Sequence, residues 1–229
     1  VYSVAHLTDA DWIGSTVSFA YDGSVVASLG NGNRTTRLTL PSAPGGAIAA
    51  ETIHAAGASS PTLSPDGRFL MVHSGSGSSD EFFRFEKLLL FDLVVGTSRA
   101  VTTHGVRLRR ITQVDPTGRV LVTGDIDGVV RAGPISGGEP HLLLGHEGMI
   151  LGLAISPDGR WIASSSDDSI RLWPMPDVTK PPLHTLPHDE LMAKLDSFTN
   201  LRAVRDDTSA TGWTLEVGPF PGWETVPSW

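Results

Sequence analysis

Cysteine is absent from the 229 residues, which excludes a disulfide framework and any thiolate-ligated metal site and is compatible with a reducing compartment. Positive charge is short as well: 17 Lys and Arg stand against 25 Asp and Glu, for a formal net charge of −8. That balance argues against a general affinity for nucleic acid or for an anionic membrane surface. The one basic cluster, Arg107, Arg109 and Arg110, alternates about Leu108 and reads as the solvated face of a strand. Long apolar runs are missing too. Leu88-Leu89-Leu90-Phe91 is broken at Asp92, far short of the roughly 18 residues of a membrane span, and the first residues carry no signal-peptide pattern. Aromatic residues are only 7% of the chain, whereas glycine (25) and proline (16) are plentiful and 40% of residues are hydrophobic. This is the composition of a turn-dense all-β protein able to bury a sizeable core.

Periodicity organises the chain. His6, His54, His104, His146 and His188 recur at intervals of 48, 50, 42 and 42 residues, and turn glycines follow the first four at Gly23, Gly67, Gly118 and Gly159. A four-stranded repeat of about 40–45 residues has this period. Its clearest copy opens at Gly145-His146. Leu151, Leu153 and Ile155 then alternate as a strand with one buried face does, Pro157-Asp158-Gly159-Arg160 makes a tight turn, and Trp161-Ile162-Ala163 begins the next strand. A second turn at Asp167-Asp168 leads into Ile170 to Trp173. This copy resembles the WD40 repeat of β-propellers. The resemblance implies a hydrogen-bonded tetrad inside the blade, which by position would be His146, Ser165, Asp167 and Trp173. A buried carboxylate and imidazole are tolerable there only because each has a partner.

The other copies keep the pattern and lose parts of it. One runs from His104 through Asp115-Pro116-Thr117-Gly118-Arg119 to Val129-Val130-Arg131, with Gly133 where the tryptophan belongs. Another has Ser64-Pro65-Asp66-Gly67-Arg68 and an inserted stretch at 75–81 before Leu88-Leu89-Leu90-Phe91-Asp92. The first, with its turn at Tyr21-Asp22-Gly23, is the most degenerate and ends at Thr39. The expected architecture is an all-β, WD40-type β-propeller of about four blades over residues 1–187, with repeats near 6–53, 54–103, 104–145 and 146–187. Four blades are the lower limit of closed rings. A partial ring is therefore expected, with apolar end faces that promote self-association.

After Trp173 the repeat pattern continues through Pro182-Leu183-His184-Thr185-Leu186-Pro187-His188, in line with His141 to His146 one blade earlier. Residues 188–198 then read as a short helix, with Asp189 and Glu190 at its positive end and Leu191, Leu195 and Phe198 on one face. Leu201 to Arg205 and Trp213 to Val217 flank a polar turn as a β-hairpin would. Trp213, Trp223 and Trp229 fall within the last 17 residues, so this small extension, 188–229, is expected to pack on the last blade. Leu186-Pro187-His188-Asp189-Glu190-Leu191, Thr199-Asn200-Leu201-Arg202 and the stretch from Gly212-Trp213 to Pro219-Phe220-Pro221-Gly222-Trp223 resemble the terminal extension of a bacterial family in which a eukaryotic-type serine/threonine kinase domain precedes a WD40 propeller. That resemblance implies a cytoplasmic sensory or scaffolding module, the C-terminal part of a longer signalling protein. Kinase motifs themselves are missing: there is no Val-Ala-Ile-Lys strand, His-Arg-Asp loop or Asp-Phe-Gly.

Sharper chemical readings give way to structural ones. His184 and His188 are spaced like helical metal ligands, but Pro187 lies between them and both sit at repeat positions. The glycine-serine stretch after His73 lacks the Gly-Lys-Ser/Thr ending of a phosphate loop. Asp22, Asp66 and Asp158 occupy fixed turn positions, where a carboxylate bonds backbone N–H groups. No catalytic, cofactor-binding or metal residue is assigned. The expected function is non-catalytic binding of a protein or peptide. The alternative is an enzymatic propeller, a hydrolase or lyase with its active site at the channel mouth.

Overall fold

The computed structural model describes residues 16–20, 24–29, 34–39, 49–53, 58–74, 87–105, 108–198 and 201–217. His6, His54, Asp22, Gly23, Arg107, the inserted stretch 75–81, Trp223 and Trp229 lie outside the described residues. The chain divides into two units, Val1–Val178 and Thr179–Trp229.

Four antiparallel sheets follow one another in the first unit. The first holds β1 (Thr16–Phe19), β2 (Ser24–Leu29), β3 (Arg34–Thr39) and β4 (Ala49–Ile53); the second β5 (Ala58–Leu63), β6 (Phe69–Ser74), β7 (Lys87–Asp92) and β8 (Thr97–Val101). The third holds β9 (Leu108–Val114), β10 (Val120–Asp125), β11 (Val130–Pro134) and β12 (His141–Leu143). The fourth has β13 (Gly152–Ile155), β14 (Trp161–Ser165) and β15 (Ile170–Pro174). Strands pair in sequence order, so each sheet is a meander built by its own tight turns.

Those turns share one chemistry. Ser64 Oγ donates to Asp66 Oδ1 at 2.5 Å and accepts the N–H of Phe69 at 2.8 Å, while Asp66 Oδ1 accepts the N–H of Arg68 at 3.1 Å. Ser156, Asp158, Arg160 and Trp161 repeat the same three bonds at 2.5, 3.0 and 3.0 Å. In the third sheet the side chains trade places: Asp115 stands where serine was and accepts from the Thr117 hydroxyl and from the N–H groups of Thr117, Arg119 and Val120. Gly67, Gly118 and Gly159 follow with φ of 72°, 70° and 71°, a conformation in which a Cβ is strained.

Apolar side chains form three slabs between sheets. Ala20 and Ile53 of the first unit's opening sheet meet Leu63, Leu70 and Val72 of the second. Met71, Leu88, Leu90 and Val101 of the second meet Val114 and Leu121 of the third. Val120, Val122, Val130, Ala132 and Leu143 of the third meet Ile162, Leu153, Ile155 and Trp173 of the fourth. Alternation explains how β10 serves two slabs, Leu121 on one side and Val120 and Val122 on the other. β10 is buried at all six positions, whereas β14 alternates between buried and more open ones.

Residues 182–188, which align in sequence with His141 to His146, do not repeat β12: Leu183–Thr185 is a 3-10 helix. Pro181 and Pro182 have no N–H to give to a ladder, which disfavours a strand there. In the second unit, α1 (His188–Phe198) carries Asp189 and Glu190 in its first turn, and β16 (Leu201–Arg205) pairs antiparallel with β17 (Trp213–Val217). The turn between these strands is closed by Asp206, which accepts from the N–H and hydroxyl of Thr208 at 2.9 and 2.6 Å.

Candidate functional site

The fourth sheet combines a rigid polar network on its covered side with an open apolar surface on the other. His146 and Trp173 meet on Ser164: the indole Nε1–H donates to Ser164 Oγ at 2.8 Å, and His146 Nε2 lies 2.7 Å from the same oxygen. On the other edge of the ring, Nδ1 is 2.8 Å from Ser166 Oγ and 3.0 Å from Ser169 Oγ. Ser166 donates its hydroxyl proton to the Asp168 carboxylate, so toward His146 it can only accept. The proton of the neutral imidazole is thereby placed on Nδ1, and Ser164 donates to Nε2. Burial, followed by the charge of Arg171, holds the His146 pKa below its ordinary value, against a smaller opposing pull from Asp168. The Asp168 pKa is held low chiefly by the hydrogen bond from Ser166.

Two of the four residues expected in this network, His146 and Trp173, are in it. Ser165 and Asp167 are replaced by neighbours: Ser164 takes the serine place, and Asp168 enters through Ser166. The reason is strand alternation. Ser164 shares the covered side of β14 with Ile162, whereas Ser165 falls on the opposite side, and Asp167 is exposed. Ser166 and Ser169 were not singled out from the sequence; the buried Ile162, counted by twos, is the signal that finds Ser164.

Earlier sheets vary this arrangement. In the third, Thr123 stands in the register of Ser164 and lies 3.0 Å from His104 Nδ1. Gly133 pairs with Leu121 as Trp173 pairs with Ile162. His104 Nε2 is buried there without a hydrogen-bond partner, and burial together with the charge of Arg131 lowers the His104 pKa to about 3. In the second sheet Val72 and Phe91 hold the same registers and join an apolar cluster. A further link, not singled out from the sequence, crosses from the second sheet to the third, where His73 Nε2 lies 2.7 Å from Thr112 Oγ1.

The other side of the fourth sheet is open. Ile170 and Leu172 are 79% and 69% exposed, whereas Val130 and Ala132, which hold the same registers in the third sheet, are fully buried at 0%. Trp161 is exposed where Val120 is buried. β15 pairs with β14 on one side, and among the described residues no strand pairs with its other edge. An apolar face beside an unpaired edge is a template for an added strand or sheet.

Among the described residues no group of three or more His, Asp or Glu side chains is placed to hold a metal, and His184 and His188 are both exposed. No described helix is long and apolar enough to cross a membrane. No curated protein matches the chain. Residues 138–174, from the approach to β12 through β15, match the WD40 family, described as WD domain, G-beta repeat. With that repeat and four successive antiparallel sheets, the chain has an all-β fold consistent with a WD40-type β-propeller of about four blades.

Proposed function

We propose that this chain is a non-catalytic interaction and scaffolding module that binds protein through the open side of its last sheet. The observation carrying this reading is the exposure of Ile170 and Leu172 at registers buried one sheet earlier. The His146 network ties the loop before β13 to β14, β15 and the turn between them, so a partner meets a preformed surface and spends little ordering it. Main-chain groups along the edge of β15 that no described strand occupies would supply hydrogen bonds and the apolar face the contact area, as in strand addition.

The fuller context is a cytoplasmic bacterial signalling protein of which this chain is the C-terminal part, with a serine/threonine kinase domain upstream. Its support is the resemblance carried by residues 186–223. In the native gene, the reading frame upstream of Val1 is then expected to encode a kinase domain; an unrelated domain there would remove that context and leave the interaction module standing.

A photo-crosslinking residue at Ile170 tests the binding surface in the native cell. A discrete protein adduct, lost when Leu172→Glu is added, is expected. Absence of any adduct from a folded chain would contradict the reading.

A further inference from the structure

Register also says what belongs on the open side. Leu153, Ile155, Ile162 and Trp173 are the residues with which the fourth sheet covers the third. In the first sheet the pairings Phe19 with Val25 and Val25 with Leu38 repeat those of Ile155 with Ile162 and Ile162 with Trp173. Val17, Phe19, Val25 and Leu38 therefore hold the equivalent registers, and all four are apolar. In the second, third and fourth sheets that side is taken by the sheet before, and no described sheet precedes the first. Contacts between neighbouring sheets run from β1 to β5, β5 to β9 and β9 to β13; among the described residues β13 makes no comparable contact with β1. Each chain thus carries both halves of one more sheet-on-sheet junction, one half in its first sheet and the other in its last.

We infer that a second copy of this chain fills the open side, its first sheet packing on Trp161, Ala163, Ile170 and Leu172 as the fourth sheet packs on the third. This rests on the reading of the open side as a docking surface and names its partner. A two-fold pair forms the junction twice. The eight described sheets of such a pair lie within the range of about 4–8 blades found in closed propellers.

Light scattering on the full chain over a range of concentrations tests this. A mass twice the 24.3 kDa of one chain is expected, with Leu172→Glu returning it to a monomer whose far-UV circular dichroism is unchanged, because Leu172 is exposed within its own protomer. The cysteine-free sequence allows a second readout: on mild oxidation, Val17→Cys and Leu172→Cys chains should cross-link to each other when mixed, and neither should do so alone to a similar extent. A monomer at every concentration, or a dimer that ignores Leu172→Glu and yields no mixed disulfide, would overturn the inference. If the chain is monomeric yet Ile170 cross-links to a different protein in a Leu172-dependent way, the docking surface stands and the second copy does not.

Discussion

Ser164 Oγ receives the indole N–H of Trp173 at 2.8 Å while lying 2.7 Å from His146 Nε2, so one buried hydroxyl of β14 satisfies a ring on β15 and a ring from the loop before β13. Ser164→Ala leaves both without that partner and should cost about 2 kcal/mol. Ser165→Ala, on the opposite side of the same strand, should stay within about 0.5 kcal/mol. Urea denaturation of the two variants compares them directly, and equal costs would remove Ser164 from its place at the junction.

Trp173→Ala removes the same hydrogen bond and also the ring that stands 6.1 Å, edge-on, from His146 and packs on the slab containing Val130 and Ala132. The cavity term should raise the loss to roughly 3–5 kcal/mol. An unchanged melting curve would show that the slab between the third and fourth sheets does not depend on it.

Acid should destabilise the fold well before its carboxylates protonate. His104 stays neutral in the folded chain down to about pH 3, against an ordinary value of 6.5, because it is buried and faces the charge of Arg131. The unfolded chain takes up that proton below about pH 6.5, so the stability is fully present above that pH. It falls toward pH 3 by about 1.4 kcal/mol per unit for this one group. His146 is displaced in the same direction. The lowered carboxyls of Asp158 and Asp168 oppose nothing in the upper part of this window, since their stabilisation is lost only as pH drops below about 3.8. Stability measured between pH 7 and 4 should therefore decline, and His104→Asn should flatten the decline; an identical slope in the variant would dismiss His104 as its source.

Two glycines separate packing from backbone conformation. A Cβ on Gly124 would come within 2.6 Å of Ile150 Cγ2, while one on Gly96 would meet nothing within 4 Å but sits at φ +75°. Gly124→Ala should cost roughly 1–3 kcal/mol through overpacking, and Gly96→Ala about 1 kcal/mol through left-handed strain. Asparagine, which tolerates that conformation, should recover part of the loss at Gly96 and none at Gly124 in thermal melts.

Much of the fold is legible because its information is local. The alternation of Leu153 and Ile155, the Ser-Pro-Asp-Gly-Arg turns and the acidic start of α1 each specify their element within a few residues. Ser164 is hard to single out because the run from Ala163 to Ser169 offers four serines and two aspartates, and only the strand pairing that puts it on the side of Ile162 separates it from Ser165. The 3-10 helix at Leu183–Thr185, where the repeat pattern continues in sequence, has a local cause too, Pro181 and Pro182, which the histidine periodicity conceals. In the sequence the open side of the last sheet shows only as a partial ring; which residues face outward depends on register, and register is a property of paired strands.

Because the described apolar side chains form slabs between successive sheets, cooperativity here is passed from neighbour to neighbour. β10, buried on both sides along its whole length, has the most to lose from any opening, and its amides should be the last to exchange with solvent. β14 should exchange earlier although it holds the same place in its sheet, since only one of its sides is held. Occupation of Leu172 and Ile170 would erase that difference, making the exchange rate of β14 a reporter of whether the last sheet has found its neighbour.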